Sequence, residues 1–207
     1  MKWFSAALRQ AGAGLRLLLV LTVLTGVVYP LAVWGVSRLP GLHEAAEGSI
    51  VSVDGRAVGS PEIGVDLTAS DPARDPWFHT RPSALAADPL GPGDPSISGG
   101  SNLAADNPKL AGLVRERKAA IAAREGVSPD RVPADAVTAS ASGLDPDISP
   151  AYAYLQVPRV ARVNGLTEQQ VRRIVDERVR GRALGVLGEP AVGVLELNLA
   201  VHRLTHP

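Results

Sequence analysis

The chain has 207 residues, with 21 basic and 21 acidic side chains and no cysteine. The lack of cysteine excludes a disulfide framework, a thiolate metal site and a cysteine nucleophile. The balanced charge disfavours a nucleic-acid partner, because proteins that bind nucleic acids normally present a strongly basic surface. Seventeen prolines and 21 glycines indicate a loop-rich domain.

The first predicted element is a membrane-spanning helix over residues 17–36, which carry no charged side chain. At about 1.5 Å of rise per residue, a helix of this length spans roughly 30 Å, the thickness of the hydrocarbon core of a bilayer. No second apolar run of comparable length follows. We therefore expect a single-pass anchor and an aqueous domain over residues 42–207.

Basic residues predict the orientation of this anchor. Lys2, Arg9 and Arg16 precede the span, whereas Arg38 is the only basic residue close behind it. Under the positive-inside rule, residues 1–16 lie in the cytoplasm and the domain lies outside the membrane. After the basic residues of positions 1–41 are set aside, the domain carries about four more acidic than basic side chains.

A cleaved signal peptide is the alternative interpretation of this start. Against it, the apolar run exceeds the usual core of about 7–15 residues, and Tyr29 and Trp34 stand where a cleavage site needs small residues. Aromatic side chains are typical of the headgroup level of a membrane. Pro30 removes one helical hydrogen bond, which indicates a neighbouring helix or water at the freed carbonyl group.

The domain itself is predicted to mix helices and strands, an α/β (α+β) fold anchored by one N-terminal transmembrane helix. Asp54-Gly55 lies between two β-like segments and favours a tight hairpin turn. Residues 70–101 are dense in Pro, Gly, Asp and Ser, which predicts a long loop. Long loops on compact domains often carry function.

Three helices are predicted after this loop, each preceded by a capping residue. Their starts are Asn107-Pro108, Ser149-Pro150 and Thr167, the last with Gln170 completing a capping box. Gly126 would end the first helix, and Pro158 is a candidate break in the second. Residues 192–204 fit both strand alternation and helical spacing, so their class stays open.

Serine-rich turns are the first candidates for chemistry. Ser98-Gly99-Gly100-Ser101-Asn102 is similar to the signature of ATP-binding cassette proteins, but the chain has no G-x-x-x-x-G-K-[ST] phosphate loop. A glycine-rich turn is the structural alternative. A serine hydrolase would need Ser140 or Ser142 activated by His79, although no G-x-S-x-G elbow surrounds either serine.

A metal site is not predicted. Of the four histidines, only His202 and His206 stand four residues apart, and they lie at the C-terminal end, where fraying is expected. Asp145 and Asp147 could attract a hydrated cation, but two carboxylates beside a helix start are typical of a solvated cap. Residues 77–82 place two aromatic rings beside Arg81, a pattern more typical of a local core than of a binding site.

A series of motifs in one order then carries a family resemblance. The matches are Tyr29-Pro30, Gly59-Ser60, Ile63-Gly64, an aromatic block with Trp77, Phe78, Arg81 and Pro82 that ends at Ala84, the turn from Ser98 to Leu103, Asn107-Pro108, a block from Val137 to Pro150 that contains Ser142, Gly143, Leu144, Asp145 and Pro146, Gln156 to Ala161, and Gly188 to Leu199. The chain resembles the C subunit of the Kdp potassium-transporting ATPase, and the matches cover nearly its whole length.

The resemblance implies a bacterial inner-membrane complex, in which a potassium-channel-like subunit binds K⁺ and a P-type ATPase subunit hydrolyses ATP. This chain would be a non-catalytic accessory subunit with no catalytic residue and no bound cofactor of its own. It lacks the Asp-Lys-Thr-Gly-Thr phosphorylation block of P-type pumps. Asp147 departs from the family pattern, where His is frequent, so a role for a histidine there is in doubt.

The family is described as a catalytic chaperone that raises the ATP affinity of the ATPase subunit, with nucleotide contact proposed for the C subunit. Ser98, Gly99, Gly100, Ser101, Asn102 and Gln156 are the candidate nucleotide contacts. ATP is cytoplasmic, however, and the predicted domain lies outside. We therefore expect an effect through conformational linkage. A membrane-anchored hydrolase and a solitary binding module remain alternatives.

Overall fold

The computed structural model describes residues 2–206. The chain divides into two units, Met1–Ser49 and Ile50–Pro207. The first unit is helical, and the second combines helices with two small sheets. The predicted α+β class with one long apolar N-terminal helix is therefore confirmed.

The first unit is built around a nearly continuous helix. Its parts are α1 (Lys2–Val23), a π-helical turn (Leu24–Val28), α2 (Tyr29–Ser37) and the short α3 (His43–Ala46). Ala6–Ser37 is long and apolar enough to cross a membrane, and its large apolar side chains are exposed, as contact with lipid requires. The helix also extends well before the predicted span of 17–36. At the π turn, the Tyr29 N–H donates to the carbonyl of Leu24, five residues back.

The second unit begins with the predicted hairpin. Strands β1 (Val51–Val53) and β2 (Arg56–Gly59) pair antiparallel. Asp54 and Gly55 between them have φ of 51° and 75°, the positive values that a tight hairpin turn needs. A second antiparallel pair, β3 (Asp147–Ile148) with β4 (Val192–Gly193), joins parts of the chain that are far apart in sequence.

Five helices and two 3₁₀ turns complete the described part of this unit. They are α4 (Pro108–Glu125), α5 (Ala134–Val137), α6 (Pro150–Asn164), α7 (Glu168–Asp176) and α8 (Val194–Thr205), with 3₁₀ turns at Pro72–Arg74 and Pro129–Arg131. All three predicted caps form: Asn107 and Ser149 each accept a backbone N–H of the first turn, and Thr167 makes a full capping box with Gln170. The predicted long loop over residues 70–101 is irregular except for one 3₁₀ turn.

The structure answers two questions that the sequence left open: whether α6 breaks at Pro158, and whether residues 192–204 form a strand or a helix. Helix α6 continues through Pro158 to Asn164. Pro158 is exposed, whereas Val157 and Val160 are fully buried, and their packing supports the helix across this position. The open segment 192–204 is almost entirely helical, since only its first two residues join the β3 strand before α8 begins.

The core lies between α4, α6, α7 and α8. Its completely buried side chains include Ile121, Tyr152, Val157, Val160, Val171, Val175 and Leu197. Phe78 inserts into the same core from the long loop and has no exposed surface. The irregular loop is thereby fixed to the helical layer by its aromatic block.

Candidate functional site

The structure brings four of the sequence motifs into one cluster, which we call the motif cluster: residues 63–64, 81–84, 98–102 and 138–146. The Gly64 N–H donates to the Leu144 carbonyl at 2.8 Å, and the Gly99 N–H donates to the Ser142 carbonyl at 2.7 Å. The Ser98 hydroxyl reaches the same Ser142 carbonyl at 3.1 Å. Blocks that are separate in sequence therefore form a single surface.

Serine hydroxyls hold the 140–144 turn of this cluster. The Ser140 N–H donates to the Pro82 carbonyl at 3.0 Å, and its hydroxyl accepts the Gly143 N–H at 3.0 Å. The Ser142 hydroxyl accepts the Leu144 N–H at 3.0 Å. Ser140 is buried, so this side chain supports the loop from within.

Arg81 links the aromatic block to the same turn. Its guanidinium donates to the Asp145 carboxylate at 2.6 Å and to the carbonyl oxygens of Thr138 and Ala139 at 3.3 Å. Both members of the Arg81–Asp145 ion pair are partly exposed. A planar guanidinium suits this arrangement because it donates in several fixed directions at once.

Glycine is needed in the cluster for close backbone approach. A Cβ atom at Gly100 would lie 2.7 Å from the Ala141 carbonyl oxygen, and one at Gly143 would lie 2.9 Å from the Gly99 carbonyl oxygen. Gly143 also has a φ of 75°, which disfavours any residue with a side chain. The absence of a side chain at these two glycines therefore allows the two glycine-containing motifs to pack against each other.

Beside the cluster, two buried amide side chains hold the extended segment at Phe78 and His79. Asn198 of α8 accepts the Phe78 N–H at 2.7 Å and donates to its carbonyl at 3.0 Å. Gln156 of α6 accepts the His79 N–H at 2.8 Å and donates to the His79 carbonyl at 3.3 Å. Each amide satisfies one buried backbone residue completely, as a neighbouring strand would.

Arg159 lies next to Gln156 and completes this support. It is 3% exposed and donates to both carboxylate oxygens of Glu125, at 3.0 and 3.2 Å. It also donates to the carbonyl oxygens of Asp75 and Trp77 at 2.8 and 2.9 Å. The loop around Trp77 is thus tied to α4 and α6 by one buried cation.

His79 is enclosed by two carboxylates. Its Nδ1 atom lies 3.0 Å from Asp66 and its Nε2 atom lies 2.6 Å from Asp75. Burial raises the pKa of Asp75, but its hydrogen bond to His79, the charge of that ring and the Trp77 N–H together place the pKa below its ordinary value. The structure therefore supports an ionised Asp75 within the fold.

The arrangement predicted for a serine hydrolase does not form. Both ring nitrogens of His79 contact carboxylates, whereas Ser140 and Ser142 hydrogen-bond to each other at 3.1 Å. A general base must lie within hydrogen-bond reach of the nucleophile it activates. His79 therefore does not serve as base for these serines in this structure.

The candidate nucleotide residues fall into two environments. The side chains of Ser98, Ser101 and Asn102 are exposed at the edge of the motif cluster. Gln156 is fully buried, and its amide is engaged by His79 and Arg159. A nucleotide contact by Gln156 would require that amide to leave these bonds.

A cavity of about 510 Å³ adjoins the exposed serine turn. Gly100, Ser101, Lys109 and Arg117 contribute to its lining. Arg117 is 4% exposed and donates to the carbonyl oxygens of Ser83, Pro89 and Val137. Burial lowers the pKa of Arg117, and the negative charge of the neighbouring Glu116 partly opposes this shift.

Asp147 pairs with Arg180, and both side chains are partly exposed. Burial raises the pKa of Asp147, and the arginine opposes this shift. Across residues 2–206, no group of three or more His, Asp or Glu side chains is placed to hold a metal ion.

Sequence reasoning did not identify Asn198, Arg159, Glu125, Asp75 or Asp66 as parts of this site. Arg159 lies inside the matched block that begins at Gln156, and this block was the available signal. The two aspartates lie in a segment without regular structure, where no periodic pattern marks them.

Comparison with known proteins identifies the family. Residues 11–203 match the family model described as "K+-transporting ATPase, c chain". A protein of Kineococcus radiotolerans named potassium-transporting ATPase KdpC subunit is 52% identical over 94% of this chain and 93% of its own length. Relatives with the same name from Streptomyces coelicolor and Caldanaerobacter subterraneus are each 46% identical, over 97% and 90% of this chain and 95% and 91% of their own lengths. Since family and relatives match almost from end to end, this chain belongs to the family of the c chain of K⁺-transporting ATPases.

Proposed function

We propose that this chain is a non-catalytic accessory subunit of an ATP-driven, high-affinity potassium-uptake complex in the bacterial inner membrane. The observation that carries the proposal is the family match over residues 11–203. The apolar helix Ala6–Ser37 supports a membrane anchor. Its partners would be a potassium-channel-like subunit and a P-type ATPase subunit.

The proposed orientation places residues 1–16 in the cytoplasm and the domain of residues 42–207 outside. Three basic residues before the predicted span, against Arg38 close behind it, support this direction. In this orientation K⁺ approaches the complex from the side of the domain, while ATP binds on the opposite side. The domain would dock over the entrance of the channel-like subunit.

The chain would act as a catalytic chaperone by linkage. If the domain binds one pump conformation more tightly than the other, it shifts the pump towards that conformation and changes the ATP affinity of the ATPase subunit. Such coupling typically amounts to about 1–3 kcal/mol, or about 5–150-fold in affinity. The internal hydrogen bonds of Gly99 and Gln156 favour this route over direct nucleotide contact at those two residues.

The motif cluster is the surface that we propose for docking. Its exposed residues Ser98, Ser101 and Asn102 belong to a turn that Gly99 fixes to the 140–144 loop. A rigid polar turn loses little conformational entropy on binding. The same three side chains are the remaining candidates for nucleotide contact.

The test is steady-state ATP hydrolysis by the purified complex, with and without this chain. Linkage predicts that the KM for ATP rises at least about fivefold when the chain is absent, and that a photoreactive ATP analogue labels only the ATPase subunit. Labelling of this chain that excess ATP competes away would instead establish direct contact.

A protease-accessibility experiment on whole cells tests the placement of the domain. A protease added only to the outer face must digest the domain in intact spheroplasts. Protection of the domain in spheroplasts, with cleavage only after lysis, would contradict the proposed orientation. Purification of the chain as a solitary monomer, under conditions that keep other membrane complexes intact, would favour the binding-module alternative.

A further inference from the structure

Residues 38–49 lie between the end of α2 at Ser37 and Ile50, where the second unit begins. We call them the spacer. A flexible chain of this length has an r.m.s. end-to-end distance of about 20 Å, so it would leave the start of the domain free to move over the membrane. The spacer instead belongs to the first unit, and its Leu39 N–H donates to the Val36 carbonyl at 3.1 Å, which continues the helical path of α2.

The other end of the spacer closes with a complete helix stop. After α3, the Gly48 N–H donates to the Ala45 carbonyl at 3.2 Å, and the Ser49 N–H donates to the Glu44 carbonyl at 2.8 Å. Gly48 has a φ of 87°. This pattern is the Schellman motif, in which a glycine in the left-handed region ends a helix. The spacer is therefore folded up to its last residue.

Helix α3 needs support from outside its own backbone. It has four residues, whereas isolated helices shorter than about 12 residues are marginal in water. None of its residues is buried, and its N-cap residue Leu42 makes no side-chain hydrogen bond to the first turn. Neither a core nor a cap therefore holds this helix in place.

Arg38 supplies that support from the end of the membrane helix. Its guanidinium lies 2.9 Å from the carboxylate of Glu47, which follows α3, and 3.4 Å from the Nδ1 atom of His43, which begins α3. The same guanidinium lies over the ring of Trp34 in α2, at 5.2 Å from the ring centroid. One side chain thus joins α2 to both ends of α3. We call Trp34, Arg38, His43 and Glu47 the Arg38 clasp.

The surroundings of the clasp strengthen it. An exposed ion pair in water contributes little to stability, and the side chains of Arg38 and Glu47 are 44% and 55% exposed. Trp34, however, is a residue typical of the headgroup level of a membrane, where the dielectric constant is lower than in bulk water and charges attract more strongly. A planar guanidinium can also stack on an indole ring while it pairs with a carboxylate. Arg38 therefore makes two contacts while only one long side chain is ordered.

We propose that the Arg38 clasp makes the spacer a rigid extension of the membrane helix and so fixes the point from which the domain starts. The inference rests on the proposed function, because it names the device that keeps the anchored domain in position relative to the pump. A folded tether confines the domain to a smaller volume than a flexible one and raises its effective concentration at a partner in the same membrane. Opening the clasp therefore weakens the effect of the domain on ATP affinity while the domain itself stays unchanged.

Distance measurements on the full-length chain in lipid nanodiscs test the clasp. The chain contains no cysteine, so Leu21→Cys in α1 and Ala45→Cys in α3 provide two unique sites for nitroxide labels. Double electron–electron resonance should give one narrow distribution of the distance between these labels. In Arg38→Gln the distribution should become at least about twofold broader, because the chain between α2 and α3 is then flexible.

Two further variants separate the clasp from a general loss of positive charge. Arg56→Gln removes an exposed arginine of β2 and should leave the distribution narrow. Arg38→Glu combined with Glu47→Arg reverses the ion pair, so its distribution should be narrower than that of Arg38→Gln. Equal widths for the unsubstituted chain and Arg38→Gln would refute the clasp.

The KM for ATP of the assembled complex tests the consequence for the pump. Arg38→Gln should reduce the effect of this chain on the KM at least about twofold, whereas Arg56→Gln should keep the full effect. If the unsubstituted chain does not change the KM, the proposed function fails, but the distance distributions still decide whether the clasp holds the spacer. A broadened distribution in Arg38→Gln with an intact effect on the KM would overturn the role of the clasp in the complex.

Discussion

Replacement of Arg159 by methionine removes the charge that ties the aromatic loop to the helical layer. Arg159 is 3% exposed and the side chain of Glu125 has no exposed surface. Four acceptor groups lose a donor: the Glu125 carboxylate, the carbonyl oxygens of Asp75 and Trp77, and the Gln156 amide oxygen. Methionine fills similar space but donates no hydrogen bond.

The expected loss of stability follows from these contacts. Breaking a buried ion pair by removing one partner costs about 3–5 kcal/mol, because the other charge stays buried. Arg124 still donates to Glu125 at 2.7 Å, which favours the lower end of that range. Each orphaned carbonyl oxygen adds about 1–3 kcal/mol, although losses in one network do not add fully. We therefore expect about 4 kcal/mol, a large fraction of the roughly 5–15 kcal/mol of a typical domain.

Pulse proteolysis in urea measures this loss, because it reports on unfolding of the domain while the apolar helix stays in detergent. Arg162→Met on the exposed face of α6 is the matched control, with an expected change within about 0.5 kcal/mol. Adding Glu125→Gln to Arg159→Met should recover part of the loss, because the uncompensated charge is then removed. A loss below about 1 kcal/mol for the single variant would refute the reasoning.

Two further predictions concern the motif cluster and the buried carboxylate. Gly100→Ala should destabilise the domain by about 1–3 kcal/mol, since the new Cβ meets a backbone carbonyl oxygen at 2.7 Å. Gly112→Ala in α4 meets only open space and should stabilise by about 0.5–1 kcal/mol in the same assay; equal effects would contradict the predicted close contact. Because the pKa of Asp75 is lowered from 3.8, its stabilising contribution is complete above that pH and is lost as the pH falls through the folded-state pKa. Unfolding midpoints measured from pH 6 to pH 2.5 should therefore fall less steeply for Asp75→Asn, and an unchanged slope would count against the assigned role.

The features that could be predicted from the sequence depend on neighbouring residues. The hairpin turn at Asp54-Gly55 and the caps at Asn107, Ser149 and Thr167 each involve partners within a few positions. Their chemistry is therefore visible in a short window of sequence. Pro158 was a candidate break, because a local rule does not include the packing of Val157 and Val160 that supports the helix there.

The interior of the site could not be predicted in the same way. Asn198 meets Phe78 across 120 positions and Gln156 meets His79 across 77. Polar residues in helices are typical of exposed faces, so composition gave no reason to bury these two amides. Family motifs indicated which blocks matter, but only the folded chain shows that four of them share one surface.

The π-helical turn at Leu24–Val28 changes how the apolar helix can face its neighbours. Regular helical spacing advances about 100° per residue, and a wider turn inserts one additional position into that count. Side chains of α2 are therefore rotated relative to the stripe that they would continue from α1. A neighbouring helix that packs along one face of α1, before Leu24, would therefore contact a different face of α2, after Val28. When substitutions along this helix are used to find its contact face, the helical periodicity of α1 and that of α2 should be fitted separately.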